Sequence, residues 1–256
     1  MSLKMLAPSY YNRFRTAVRL IGTGKNLLDI GCSDGVFEEE LQEKFEKITG
    51  MDLNEQDLKK AKSRNLRNSR FIKASAYKIP FNAKFDKALS IEVIEHLEKP
   101  EKMLQQARKS LKKGGVLVIS TPNRNFPFTY DPINYLLEKV FGKHIGIGIY
   151  GFGHERIFSF EELKELLEKN GFKIQEAKFL NHYFAGLCEN YLSTILQPLF
   201  KSDPKNRQAK KEFIGSKEKP PKILEGIVKA ILKVDELLFK NSKTSVGMMV
   251  KAARVK

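Results

Sequence analysis

Residues 26–41 constrain the fold of this chain more than any other stretch. A short apolar run at 26–30 passes directly into a turn at 31–35 that begins and ends with glycine, and apolar residues then return at helical spacing. Glycine lets the backbone turn tightly and lets a ligand approach where a Cβ would intrude. The pattern predicts a strand, a glycine turn and a helix, which form the first unit of a Rossmann-like fold.

A second acidic strand end supports this interpretation and indicates the ligand. Residues 45–52 predict a short strand that ends in Asp52, about 20 residues after the turn, where a carboxylate can accept hydrogen bonds from ribose hydroxyls. In dinucleotide folds the middle glycine of the turn meets a pyrophosphate, whereas this chain has Ser33 there and no Gly-Lys-Ser or Gly-Lys-Thr phosphate loop. A ligand with a ribose and no phosphates fits better, and S-adenosylmethionine is such a ligand.

Five stretches follow one another in an order that resembles class I S-adenosylmethionine-dependent methyltransferases. They are DIGCSDG at 29–35, GMDLN at 50–54, FIKASAYKIPF at 71–81, FDKALSIEVIEHL at 85–97 and GGVLVISTPN at 114–123. The resemblance covers residues 10–180. It implies a doubly wound, Rossmann-like α/β fold with a seven-stranded, mostly parallel sheet and an antiparallel last strand, here preceded by a helical insertion.

The resemblance also implies a cofactor site at the ends of the strands. The residues it assigns to S-adenosylmethionine are Asp29, Gly31, Cys32, Ser33, Gly35, Asp52, Leu53, Ser75, Ala76, Ile91 and Tyr11. Members of the family often have an acid where this chain has Ser75, which can still accept a hydrogen bond from adenine. Tyr11 lies on a helix predicted ahead of the first strand, and it either closes over the ligand or only packs.

Residues 92–96, at the end of the predicted fourth strand, hold most of the catalytic candidates. If they begin a helix or a tight turn, Glu92, Glu95 and His96 fall within one turn and point to one side. Two carboxylates and an imidazole can bind a divalent cation or supply a base. The segment resembles the EVxEH stretch of ubiquinone-pathway O-methyltransferases and of enzymes that methylate the terminal ribose of small RNAs, where it is associated with a metal. The alternative is that both glutamates line the pocket or cap a helix while His96 is structural.

His154 is the fourth candidate, because the resembling family commonly has a GHxRxFS segment at this place and the histidine completes the ion site in its metal-linked members. The predicted ligands of Mg²⁺ or Mn²⁺ are therefore Glu92, Glu95, His96 and His154, and the catalytic candidates are His96, His154 and Glu95. A hydrogen bond that fixes the preceding segment is the alternative role for His154. That segment, 125–153, is rich in aromatic residues and glycine and predicts a lid on the substrate side.

The predicted organisation is a single core with additions. Residues 1–25 form a helix over the pocket, residues 26–184 and 241–256 form the methyltransferase core with its lid at 125–153, and residues 185–240 form the helical insertion. Residues 222–240 predict a basic amphipathic helix, which could lie on a membrane surface or could cover the mouth of the active site.

Charge and composition limit the classes of partner that we expect. The 256 residues are 41% hydrophobic, enough for one α/β core and an appendage, and the net charge is +16. Half of this charge lies in residues 181–256, which contain 15 basic and 7 acidic residues and could meet anionic lipid or nucleic acid, although a solvated lysine-rich surface is the alternative. Two cysteines give no disulfide framework, and no stretch reaches 18 apolar residues. We therefore expect a cytoplasmic protein, with peripheral membrane contact through 222–240 as an option.

The function predicted from the sequence is an enzyme, an S-adenosylmethionine-dependent methyltransferase that O-methylates a small apolar or lipid-like acceptor. A metal-assisted RNA ribose 2′-O-methyltransferase is one alternative, favoured by the charge and the EVxEH stretch. The lack of a separate RNA-binding module or a repeated aromatic platform opposes it. A non-catalytic, cofactor-binding regulatory module is the alternative from another class.

Overall fold

The computed structural model describes residues 6–126, 132–142, 156–196 and 222–255. Seven strands lie in these ranges: β1 Gly24–Ile30, β2 Phe45–Asp52, β3 Ser69–Lys73, β4 Phe85–Ile91, β5 Leu111–Pro122, β6 Phe172–Leu180 and β7 Gly247–Arg254. They form one sheet in the order β3-β2-β1-β4-β5-β7-β6. β1 is parallel to β2 and β4, β2 to β3 and β4 to β5, whereas β7 is antiparallel to β5. The predicted fold class is confirmed.

The strand order places a ligand crevice at β1 and β4. From β1 the chain moves outward through β2 and β3, then returns to the other side of β1 with β4. In open α/β sheets, ligands bind outside the carboxyl ends of the strands at such a reversal. β1 is buried on both faces, since Leu27, Leu28 and Ile30 are all fully enclosed, as expected for a parallel strand covered by helices.

The described helices are α1 Pro8–Ile21, α2 Val36–Leu41, α3 Glu55–Lys62, α4 Pro100–Ser110, α5 Pro132–Phe141, α6 Phe160–Lys169, α7 Tyr183–Leu196 and α8 Lys222–Phe239. Two helices begin with side-chain caps that have a local sequence signal. The Asn54 side chain accepts hydrogen bonds from two backbone N–H groups at the start of α3, and Ser159 forms a reciprocal capping box with Glu162 at the start of α6.

Two features of local structure differ from what the sequence alone indicates, and a third agrees with it. The apolar spacing and the glycines at 114–115 favour a helix from 100 to 113, but α4 ends at Ser110, because Leu111 already pairs with Phe85 of β4 and the two glycines lie inside β5. The predicted lid segment contains α5, which was not expected, while its glycine-rich part at 146–153 lies outside the described residues. Of the two conformations expected for residues 92–96, a helix or a tight turn, the structure has the turn, a short 3₁₀ segment at Ile94–His96.

The chain divides into two compact units. The sheet unit comprises Phe14–Asn123, His154–Lys178 and Gly247–Lys256, and the helical unit comprises Met1–Arg13, Arg124–Gly153 and Phe179–Val246. This division groups the predicted lid with the predicted insertion and divides α1 between the two units. α7 and α8 lie between β6 and β7 in the chain, as the predicted insertion requires.

A buried carboxylate fixes the orientation of α8 in the helical unit. Asp235 is almost fully buried, and its two oxygens accept hydrogen bonds from the backbone N–H groups of His182 at 2.7 Å and Ala185 at 2.9 Å. These two N–H groups lie at the start of α7. The first N–H groups of an α-helix have no acceptor within the helix, so the Asp235 carboxylate supplies one. α8 turns Asp235 and Val228 inward, whereas the large apolar side chains of another face of the helix are exposed.

Replacement of Asp235 tests this orientation. Asp235→Ala removes the acceptor of two buried N–H groups, so we expect the free energy of unfolding in urea to fall by roughly 2–3 kcal/mol, the scale of hydrogen bonds to a charged group. Glu236→Ala, at the adjacent exposed position, is the control and should change it by less than about 0.5 kcal/mol. Equal losses in the two variants would contradict the capping role of Asp235.

Candidate cofactor site

The turn after β1 is tied to β2 and passes close to β4. The backbone N–H groups of Gly31 and Cys32 both donate to the carbonyl of Met51, at 2.8 and 3.0 Å. Gly31 has a φ of 83°, and a Cβ at this position would lie 2.4 Å from Val93 Cγ2. Only glycine satisfies both the left-handed backbone and the close approach. The turn is therefore fixed between the ends of β2 and β4.

Asp52 joins this turn to the end of β2. Its Oδ2 accepts a hydrogen bond from the Ser33 N–H at 2.9 Å, and its Oδ1 accepts one from the Asn54 N–H at 2.8 Å. Each carboxylate oxygen has lone pairs for more than one donor, and the side chain is only half-buried. The carboxylate can therefore accept the two hydroxyls of a ribose while it keeps its own backbone partners.

Arg64 fixes the same turn from the other side. Its Nε donates to the Asp34 carbonyl at 2.5 Å, its Nη2 contacts Asp34 Oδ2 at 3.3 Å, and its Nη1 pairs with Glu39. The Arg64 side chain is only 15% exposed. Although Arg64 lies in a run of basic residues, it is not simply solvated, because the turn places a carbonyl and a carboxylate within its reach.

Two residues without glycine's freedom adopt left-handed backbones at this edge. Ser33 has a φ of 48° and Glu92 a φ of 55°. Such conformations concentrate at functional sites, where the surroundings hold them in place. Glu92 is held by Ser120 at the end of β5, whose hydroxyl donates to Glu92 Oε1 at 2.8 Å.

The chain that follows β3 adds polar groups at the same edge of the sheet. The Ser75 hydroxyl accepts a hydrogen bond from the Tyr77 N–H at 3.2 Å, and the Tyr77 hydroxyl accepts one from the Lys99 N–H at 3.2 Å. The Ser75 oxygen keeps a donor and a further lone pair for a ligand. Leu53, beside Asp52, is 61% exposed, which leaves an apolar surface at this edge.

The remaining predicted cofactor residues have different environments. Ala76 and Ile91 are half-buried at their strand ends. Burial raises the pKa of the Cys32 thiol, which packs with Leu58, Ala61 and Phe71, so Cys32 can offer a ligand only its backbone. Tyr11 is buried in the helical unit, and its contact with the cofactor stays a prediction.

The three predicted metal ligands that the structure describes, Glu92, Glu95 and His96, do not form the predicted cluster. Glu95 is fully buried, the His96 side chain is 44% exposed, and Glu95 Oε1 lies 3.9 Å from His96 Nε2. In a 3₁₀ turn successive side chains point about 120° apart, and the left-handed backbone of Glu92 separates it from both. Among the described residues, no group of three His, Cys, Asp or Glu side chains could hold a metal ion. His154 lies outside the described residues.

Glu38, which was not among the predicted site residues, is a buried acid beneath the turn. Asp29 and Glu38 are both enclosed, and burial raises the pKa of Asp29 to about 7. Burial, and then the charge of Asp29, also raise the pKa of Glu38. The helical spacing indicates this burial, since Glu38 lies three residues before the buried Leu41 and so shares its inward face.

The left-handed glycine turn, the ribose-compatible carboxylate and the strand-order reversal together are typical of α/β domains that bind a nucleoside cofactor without a phosphate loop. The comparisons make this class more specific. The methyltransferase-domain family matches residues 7–177, two thirds of the chain, so the chain belongs to this family. This confirms the resemblance to class I S-adenosylmethionine-dependent methyltransferases.

A curated relative from Idiomarina loihiensis is a ubiquinone biosynthesis O-methyltransferase. It is 34% identical over 127 residues, which cover 48% of this chain and 50% of the relative. The chain spans about half the length of the first curated relatives it matches.

Solved structures agree on the fold. The cyclase SpnF matches 94% of this chain and 79% of its own, with a TM-score of 0.61 and 16% identity. A phosphoethanolamine N-methyltransferase 2 from Haemonchus contortus, solved with S-adenosyl-L-methionine, matches 96% of this chain and 53% of its own, with a TM-score of 0.60 and 16% identity. At this identity the likeness shows the fold alone, and a cyclase among the matches shows that this fold does not fix the reaction.

Asp52 provides the direct test of the site. Asp52→Ala removes the proposed ribose acceptor and the partner of the Ser33 N–H, so we expect S-adenosylmethionine binding to weaken by roughly 1.5–3 kcal/mol in a calorimetric titration. Glu46→Ala, an exposed acid on the same strand, is the control and should bind as the unchanged protein does. Unchanged affinity in Asp52→Ala would remove this carboxylate from the site.

Proposed function

We propose that this protein is an S-adenosylmethionine-dependent methyltransferase that methylates an oxygen of a small apolar or lipid-like acceptor. The observation that carries the proposal is the Asp52 carboxylate, which is held by the Ser33 and Asn54 N–H groups at the carboxyl end of β2 in a chain of the methyltransferase-domain family. The name of the curated relatives supports an oxygen acceptor. The name of these relatives does not favour the two alternatives, RNA methylation and a non-catalytic module.

The cofactor residues have separable tasks in this proposal. Asp52 would accept the ribose hydroxyls, the turn at 31–35 would hold the amino-acid end, and Ser75 would contact adenine. When bound, S-adenosylmethionine supplies an electrophilic methyl group on a sulfonium. The protein contributes mainly by holding the acceptor oxygen in line with that methyl group, because orientation alone removes much of the barrier.

A hydroxyl acceptor must lose its proton as its oxygen is methylated. His96 is half-exposed on the 3₁₀ turn after β4, at the ligand edge of the sheet, and we propose it as the base. Glu95 is fully buried, and its Oε1 lies 3.9 Å from His96 Nε2, where a carboxylate stabilises the imidazolium that forms. Glu95 is therefore proposed to position and support His96. His154 remains a second candidate base.

The activity test combines labelled cofactor with a base variant. We expect label from S-adenosylmethionine carrying an isotopic methyl group to appear on an oxygen of catechol-type acceptors, with higher turnover when the acceptor has an apolar tail. His96→Ala should lower kcat by about 100-fold or more while cofactor affinity stays unchanged, because only proton removal is lost. Glu98→Ala, at a nearby exposed position, is the control. Full kcat in His96→Ala would contradict the assignment of His96 as the base.

The same assay decides the metal question. Glu95 is enclosed and Glu92 Oε1 accepts a hydrogen bond from Ser120, which argues against these side chains as ligands of a shared Mg²⁺ or Mn²⁺. We therefore propose proton removal by a side chain and expect turnover to persist in excess chelator. Loss of turnover that added Mn²⁺ restores would instead support the four-ligand site with His154.

A second proposal concerns α8, which we propose to dock on an anionic membrane surface. Its exposed apolar side chains recur at helical spacing and form one stripe: Ile223, Ile227, Val234, Leu237 and Leu238. Four lysines lie in a row beside this stripe: Lys222, Lys229, Lys233 and Lys240. Lipid phosphates would complement the lysines while the apolar stripe enters the interface.

This contact would be peripheral. No helix in the described part of the chain is long and apolar enough to cross a membrane. The two hydrogen bonds of Asp235 hold the opposite face of α8 against α7, so the stripe can be buried only by something outside these two helices. A membrane contact would also suit a lipid-like acceptor.

Vesicle binding tests the α8 proposal. We expect the protein to sediment with vesicles of phosphatidylcholine and phosphatidylserine at low salt and to be released as salt rises. The double variant Ile223→Asp with Leu238→Asp places two carboxylates in the stripe and should weaken binding by at least about tenfold. Val255→Asp, at an exposed valine of the sheet unit, is the matched control and should bind normally. No sedimentation of the unchanged protein at low salt would contradict the proposal.

A further inference from the structure

Glu38 lies directly beneath the cofactor turn. It is fully buried in α2, and its carboxyl group occupies space that the missing side chain of Gly50 leaves, since a Cβ at Gly50 would lie 2.6 Å from Glu38 Oε1. Gly50 on β2 pairs in register with Asp29 on β1. Paired residues of neighbouring strands project to the same face of a sheet, so the Glu38 carboxyl lies beside Asp29.

These two acids cannot both be ionised without a large cost, because two enclosed like charges are strongly unfavourable. As two carboxylates, neither could donate a hydrogen bond to the other, and both buried Glu38 oxygens would lack a donor. Burial raises the pKa of Glu38 well above its usual range, and a proton on Glu38 would let its O–H donate to Asp29. The pair then holds one proton and one negative charge.

Within the described ranges, the titratable groups that act on the pair include no cation. The titratable groups that act on the pair are Asp52 from β2, Asp34 from the turn and the Cys32 thiol. Arg64 pairs with Asp34 and Glu39 and so offsets those charges instead. On the β4 side Asp29 pairs in register with the apolar Leu89. The negative charge of Asp29 is therefore available to a cationic ligand at the turn, two residues further along the chain.

We propose that Glu38 is a positioning residue for the cofactor: as a neutral acid it donates a hydrogen bond to Asp29 and keeps a single negative charge under the turn, where it attracts a cationic cofactor. The inference rests on the proposed function, because S-adenosylmethionine carries the required positive charges on its sulfonium and ammonium groups.

A dependence on pH follows from this arrangement. A bound cation favours the ionised form of Asp29, so binding is strongest where Asp29 has lost its proton. Because the Asp29 pKa is raised to about 7, affinity should rise with pH through neutrality and then become constant. For one such group, the gain from about pH 6 to about pH 8 is about tenfold.

The test measures S-adenosylmethionine affinity by calorimetry from about pH 5.5 to about pH 8.5 in the full chain. Glu38→Gln keeps a neutral donor and should retain the pH profile, whereas Glu38→Met removes the donor and should move its midpoint to higher pH. Glu40→Gln, an exposed neighbour in α2, is the matched control. A profile in Glu38→Gln that shifts as in Glu38→Met would overturn the neutral-donor role, and so would an unmoved midpoint in Glu38→Met.

A second readout does not need the cofactor. The ¹³C shift of the Asp29 carboxyl should titrate near neutrality in the unchanged protein and in Glu38→Gln, which keeps the test valid if Glu38→Met fails to fold. Tight binding with no dependence on pH would overturn this inference alone. Absence of binding at every pH, with the carboxyl titration intact, would instead overturn the proposed cofactor.

Discussion

The hydrogen bonds between Asp52 and two backbone N–H groups hold the cofactor edge of the sheet together. They connect the turn after β1 to the chain that leaves β2, at the point where the strand order reverses. The Met51 carbonyl reinforces this connection by accepting from Gly31 and Cys32. These contacts fix the Asp52 carboxylate, so a ribose that binds there as proposed would need little further ordering of this side chain.

The same edge collects negative charge, which is unfavourable for folding and useful for binding. Asp29, Asp34, Glu38 and Asp52 lie on two strands, a turn and a short helix that meet there. The Arg64 ion pairs reduce this repulsion, and burial raises the pKa of Glu38, which favours its neutral form. The negative charge that remains beneath the turn would suit the proposed sulfonium ligand. A neutral or anionic nucleotide would gain nothing from it.

Features set by local sequence could be predicted, and features set by distant partners could not. The β1–turn–α2 unit, which is confirmed, and the caps at Asn54 and Ser159 depend on residues only a few positions apart. The end of α4 depends on the pairing of Leu111 with β4, so spacing alone placed it too late.

The site residues show the same division. Arg64 reaches a carbonyl 30 residues away, and Ser120 fixes Glu92 across 28 residues, so neither contact has a periodic signal in the sequence. The orientation of α8 likewise depends on Asp235 and the start of α7, about 50 residues earlier in the chain. An amphipathic pattern indicates which residues share a face. It does not indicate which face is buried.

A crystal structure of the protein with S-adenosylhomocysteine would test the central claim most directly. The account predicts that the ribose hydroxyls lie within hydrogen-bond distance of the Asp52 carboxylate while the Ser33 and Asn54 N–H groups keep their present contacts. It also predicts that the amino-acid end lies against the turn at Gly31. A nucleoside bound away from the carboxyl ends of β1 and β2, or an Asp52 side chain turned away from the ribose, would contradict the account.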